Sequence, residues 1–134
     1  MRRYRSRVSG PLLDRIDLRV EVTAVEASEL SGPRSGPDTA TTRSRVTGAR
    51  ERQRERLADA AGTFCNAQMR PAETRRLCDP TPSAGRLLTR ALERLDLSAR
   101  GYHRVLRVAR TVADLEGSER VEERHVAEAL QYRD

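Results

Sequence analysis

The sequence predicts a mainly α-helical fold, a small helical bundle preceded by a linker and one remnant strand, and three observations carry that expectation. Aromatics are 3% of a chain that is 37% hydrophobic and 34% charged, so leucine, valine and alanine must build the core, which suits packed helices better than a β-sandwich. Two stretches, 83–95 and 98–115, repeat their apolar residues at the helical period. Residues 31–38, Ser-Gly-Pro-Arg-Ser-Gly-Pro-Asp, hold two Gly-Pro pairs that stop regular structure, and a domain boundary is expected there. At 134 residues the chain has room for one modest domain that needs no disulfide to fold.

Taken in order, residues 1–10 are basic and end in Ser9-Gly10, and Pro11 opens a short helical turn or tight connection through Asp17. Leu18, Val20 and Val22 alternate with Arg19 and Glu21, the pattern of a half-buried strand with the two charges outward. A lone strand is unstable in water, so it needs a sheet whose other strands this sequence does not show. Residues 1–30 are accordingly expected to be poorly anchored, with something N-terminal to them missing. After the linker, a charged helix over 39–57 carries a thin stripe of Val46, Ala49, Gln53 and Leu57. Asn66-Ala67-Gln68-Met69 reads as a packed loop, and Pro71 opens a short helix through Leu77 that Asp79-Pro80-Thr81-Pro82 breaks.

A helix over 83–95 places Leu87, Leu88, Ala91, Leu92 and Leu95 toward a core. The next helix is capped by Ser98, turns Tyr102, Val105, Leu106, Ala109, Val112 and Ala113 to one face, and stops at Gly117. A final helix over 122–132 points Val126, Ala129 and Leu130 inward.

The 26 basic residues, all arginine, exceed 20 acidic ones and give a net charge of +6, which permits nucleic acid or another anionic partner without defining a site. The arginines at 43, 45, 50, 52, 54 and 56 read first as a solvated helix face, with contact to DNA an open alternative. Cys65 and Cys78 have neither CxxC nor zinc-ligand spacing. A metal site would need Cys65, Cys78, His103 and His125 to converge from scattered places, so reduced thiols of a cytosolic protein are the better reading and no metal is expected. Both histidines read as ordinary helical residues. No apolar run resembles a signal peptide or a membrane span, so a cytoplasmic protein without a membrane partner is expected.

Three stretches together resemble the C-terminal third of the YifB/ComM family of magnesium-chelatase-like AAA+ ATPases. They are residues 4–17 (Tyr4 through Leu12-Leu13-Asp14-Arg15-Ile16-Asp17), Asn66-Ala67-Gln68, and residues 97–115 from Leu97-Ser98-Ala99-Arg100 to Ala113-Asp114-Leu115. The closing Ala127-Glu128-Ala129-Leu130-Gln131-Tyr132-Arg133 is similar as well. The resemblance implies that residues 1–30 are the C-terminal edge of an AAA+ α/β core, 31–38 a linker and 39–134 the helical lid. It further implies an oligomeric ring ATPase, with ComM-type members associated with DNA branch migration in natural transformation and chelatase relatives with metal insertion into porphyrin.

By the same resemblance Arg15 is the arginine finger that reaches a neighbouring subunit's ATP, with Asp14 beside it at the interface. A guanidinium suits that work because its permanent charge and planar donors match charge spreading over the γ-phosphoryl oxygens. The bland alternative is a surface pair of Arg15 with Asp14 or Asp17. Arg100 corresponds to sensor 2, in a first helical turn where free N–H groups already favour an anion. Arg104, one turn on, is the second choice.

The chain departs from the family at one chemical necessity: the phosphate-binding loop G-x-x-x-x-G-K-[ST] needs a lysine, and none is present. ATP and Mg²⁺ are therefore expected only in complex with a P-loop-bearing AAA+ subunit, and this polypeptide alone is not expected to hydrolyse ATP. Smaller departures are Arg19 where histidine is expected, and Cys65 and Met69 around Asn-Ala-Gln where leucine is usual. A cut or misassigned start, a split gene and a non-functional remnant all accommodate the missing loop. A stand-alone basic DNA-binding module and a pure lid or oligomerisation element remain alternative functions.

Overall fold

The computed structural model describes residues 15–24, 32 and 36–133. Among these, regular structure is helical: α1 (Thr39–Arg56), a 3₁₀ turn (Asn66–Gln68), α2 (Pro71–Leu77), α3 (Pro82–Arg94), α4 (Ala99–Glu116) and α5 (Glu123–Gln131).

The helix starts follow local chemistry. Asp38 accepts the Thr41 amide at 2.7 Å, and hydrogen bonding to Thr41 holds its carboxyl below the ordinary range. Thr81 and Ser98 accept the amides of Ala84 and Gly101 at 3.3 and 3.1 Å, each satisfying a helix N–H that no carbonyl can reach. Helix α4 ends in a Schellman turn: Gly117 has φ of 76°, and the Ser118 amide reaches back to the Ala113 carbonyl at 2.9 Å. A side chain at 117 would be strained in that left-handed conformation.

Helix α4 is the organising element, packed against α1, α2, α3, α5 and the 3₁₀ turn. Its buried Val105, Leu106, Ala109 and Ala113 meet Leu57, Met69, Leu88 and Val126 in one core. Each large aliphatic side chain fully buried there contributes about 1.5–3 kcal/mol from surface removed from water. The α2–α3 and α4–α5 turns are tied by the Thr81 amide to the Val121 carbonyl at 2.9 Å and by Arg120 forked onto Asp79 at 2.9 and 3.1 Å.

The core also holds charges. Arg110 and Asp114 are 1% and 0% exposed. Asp114 accepts Arg110 Nε at 3.1 Å, Asn66 Nδ2 at 2.8 Å and Arg56 Nη1 at 3.0 Å. Arg110 turns its remaining donors to the carbonyls of Ser118 and Glu119 at 2.6 and 2.7 Å. The cluster fixes α1 and the 3₁₀ turn on α4, because a buried charge is tolerated only where paired and hydrogen-bonded.

Three expectations are corrected. No strand forms over 18–22 or anywhere else among the described residues: Leu18, Val20 and Val22 are 50%, 68% and 88% exposed, and Arg19 instead of an apolar residue is half-buried. With no neighbouring strand to complete a ladder, the Arg19 amide bonds the Tyr132 carbonyl at the end of α5. Val46 lies exposed because α1 meets the bundle only from Ala49 onward, and Leu95 is exposed because α3 has ended at Arg94. Asn66-Ala67-Gln68, read as a loop, is a 3₁₀ turn.

Candidate functional site

The first two turns of α4 carry the site. Arg100 stands in the first turn, where no acidic residue accompanies it, exposed and making no ion pair with the described residues. Residues 100, 104 and 107 follow one helical face, and with His103, Ala99 and Pro71 they line a groove of about 410 Å³ that contains no carboxylate. Pro71 opens α2 beside it.

Each arginine has a different setting. Arg107 is fixed by Nη1 donating to the carbonyls of Ala67 and Met69 at 2.9 and 3.0 Å, which ties the 3₁₀ turn to α4. Arg104 is buried to 13% exposure, with Nε 3.5 Å from Asp17 Oδ1, and its Nε and Nη1 have no hydrogen-bond partner. Asp17 also lies 4.0 Å from Arg107. His103 has its imidazole pKa lowered by burial first and then by Arg75 and Arg107, as expected where cations and little water surround a group that would charge positively. The groove's own lining is cationic, and Asp17 stands beside it as the counter-charge of Arg104 and Arg107.

On the far side of Asp17 a second, largely apolar groove of about 330 Å³ runs between α4 and α5, lined by Leu18, Val108, Val112, Leu115 and Tyr132 among others. Arg15 is exposed and makes no pair with Asp17. Asp14 falls outside the described residues. The three stretches singled out in the sequence thus meet on one helix: Asp17 from the first and Asn66 and Ala67 from the second both contact the α4 residues of the third. Among the described residues no three His, Cys, Asp or Glu converge as metal ligands, and no helix is long and apolar enough to cross a membrane.

Comparison with known proteins matches residues 36–133 to the family described as magnesium chelatase, subunit ChlI C-terminal. The chain belongs to this family. Residues 1–30 match the companion model for magnesium chelatase, subunit ChlI. Over 98% of its length the chain is 43% identical to the competence protein ComM of Haemophilus influenzae. It is 38% identical to the uncharacterized protein YifB of Salmonella typhimurium over the same share, and 41% identical to the uncharacterized protein Rv2897c of Mycobacterium tuberculosis. It spans about a quarter of the length of each, 25%, 25% and 26%. The ChlI-type C-terminal helical domain is thus the frame that carries Arg100 and Arg104.

Sequence reasoning did not find the roles of Asp17 and Arg107. The sequence offers Asp17 as a partner for Arg15, and the signal that points elsewhere is the run of arginines on the face of α4, which needs a counter-charge.

Proposed function

We propose that this chain is the lid-bearing C-terminal part of a ring-forming AAA+ ATPase of the ComM type, a cytoplasmic machine that in its whole form remodels DNA by branch migration. Residues 1–30 form the edge of the nucleotide-binding core, 31–38 the linker and 39–134 the lid. A P-loop-bearing subunit is the partner, and ATP with Mg²⁺ held there supplies the phosphoryl group. Arg100 reads that nucleotide from the lid, with Arg104 behind it. Arg15 reaches the neighbouring subunit with Asp14 at the interface, neutralising charge on the γ-phosphoryl oxygens as the bond breaks.

The observation that supports this best is the groove lined by Arg100, Arg104 and Arg107 at the start of α4, in which Arg100 is exposed and has no ion-pair partner among the described residues. Its cationic lining suits an anionic group such as a phosphate chain. The test is ATP hydrolysis by this chain mixed with a P-loop segment of the family, for wild type, Arg15→Ala and Arg100→Ala. Activity only in the mixture, lost with either substitution, is the expected result. A silent mixture counts against the reading.

A second reading, a nucleic-acid-binding module, is favoured by α1. Residues 39–47 are all exposed, Arg43, Arg45 and Arg50 make no ion pair among the described residues, and no acidic side chain occurs between the Asp38 cap and Glu51. Affinity for duplex DNA that falls steeply with salt and is lost on Arg43→Ala/Arg45→Ala would support it.

A further inference from the structure

We infer that Asp17 is a positioning residue that clasps the Arg15 segment to the helix bearing Arg100, so that the arginine offered to a neighbour and the arginine reading the chain's own nucleotide move as one unit. The inference rests on the roles proposed above for Arg15 and Arg100, but the clasp itself is a matter of geometry. Asp17 lies two residues after Arg15, and Arg104 one turn after Arg100.

Arg107 is held by two carbonyls whether or not Asp17 is present. Arg104 is different: Asp17, at 3.5 Å, is the one carboxylate within ion-pair distance of it among the described residues, and Arg104 Nε and Nη1, like Asp17 Oδ1, make no hydrogen bond, so the ion pair is what compensates them. A mostly buried guanidinium with a single counter-charge holds that charge in place, since releasing it leaves an uncompensated cation in a site with little water. The second hold is the Arg19 amide on the Tyr132 carbonyl at 2.9 Å. These two contacts bracket Leu18, which lies over the apolar groove between α4 and α5. Residues 17–19 are thus pinned across both C-terminal helices, and Arg15, which is exposed, lies two residues before them.

Amide hydrogen exchange on the whole 134-residue chain tests the clasp without ATP. Protection of the Arg19 amide is expected to fall roughly tenfold in Asp17→Asn and in Arg104→Gln, and to stay within about threefold of wild type in Asp17→Glu. The amides of Val105 and Leu106 report in each variant that the bundle is intact. Unchanged Arg19 protection in Asp17→Asn, with those core amides intact, overturns the inference. Where the mixture with a P-loop segment hydrolyses ATP, Asp17→Asn should lower kcat about tenfold and leave KM for ATP within about twofold, the signature of a group misplaced in the transition state alone. Wild-type kcat in that variant also overturns the coupling. A mixture silent with wild type counts against the ATPase reading instead, and the exchange result then judges the clasp by itself.

Discussion

Arg56 and Asp114 are joined by two hydrogen bonds between α1 and α4, one of them Nη1 to Oδ2 at 3.0 Å. The pair closes the helical domain across 58 positions of sequence. Asp114 has no exposed surface and serves Arg110 and Asn66 at the same time, so its removal strands a buried cation. Asp114→Ala is expected to cost about 3–5 kcal/mol, the range for breaking a buried pair by deleting one partner. Arg56→Ala should cost less, about 1–3 kcal/mol, because Arg110 still compensates the carboxylate. Urea denaturation of the two single variants and the double variant measures this. Strictly additive losses would show that Arg56 and Asp114 do not stabilise each other.

The two thiols should differ sharply in reactivity. Burial pushes the Cys78 thiol up to about 12, and the side chain is fully enclosed, so almost no thiolate forms at neutral pH and no reagent reaches it. Cys65 sits half-exposed before the 3₁₀ turn. Labelling with a maleimide in native buffer should modify Cys65 alone, and Cys78 should follow at the rate at which the bundle opens. Equal labelling of both in the folded chain would contradict the packing of α2.

Acid should weaken the α4–α5 corner. His125 accepts the Glu122 amide on Nδ1 at 2.9 Å, which leaves its ring proton on Nε2, 3.0 Å from Glu116. That hydrogen bond, with the nearby charge of Arg124, lowers the Glu116 pKa below its ordinary 4.5. A depressed carboxyl contributes stability that is present above the unfolded value and is lost as pH falls through the folded one. Thermal melts should therefore lose stability below about pH 4.5, and Glu116→Gln should flatten that part of the profile. An identical profile in the variant would show that other carboxylates carry the acid response.

Much of this fold was legible because its signals are local. Ser98, Pro71 and Gly117 mark helix ends through their own backbone chemistry, and the Leu88–Ala91 and Val105–Ala109 faces follow from periodicity. The Arg110–Asp114 pair was not legible as core. Its spacing is that of an ordinary surface pair on a helix, and only the arrival of Asn66 and Arg56 from distant sequence encloses it. The strand over 18–22 failed for the converse reason: alternation reports a face suited to a sheet, and a sheet requires neighbouring strands. At the site, Arg100 and Arg104 came from the family resemblance, whereas Asp17 and Arg107 depend on how residues 15–19 lie across α4.

His103 offers a direct reading of what the groove accepts. Its ring shares the groove with Arg100, Arg104 and Arg107, and burial together with the nearby Arg75 and Arg107 lowers its pKa from the ordinary 6.5. In the free chain the neutral ring is therefore favoured, and its contribution to stability is intact above about pH 6.5 and lost as pH falls through the lowered value. A phosphate chain seated between the arginines would reverse the local field and favour the imidazolium. Titration of the His103 ring by NMR should show its pKa rising when tripolyphosphate is added. Arg100→Ala should weaken the response by roughly tenfold in ligand concentration, as expected for the loss of one charge-assisted contact. No change in the His103 titration at millimolar tripolyphosphate would show that the groove does not take a phosphate chain in this chain alone, and would leave the basic face of α1 as the stronger candidate for an anionic partner.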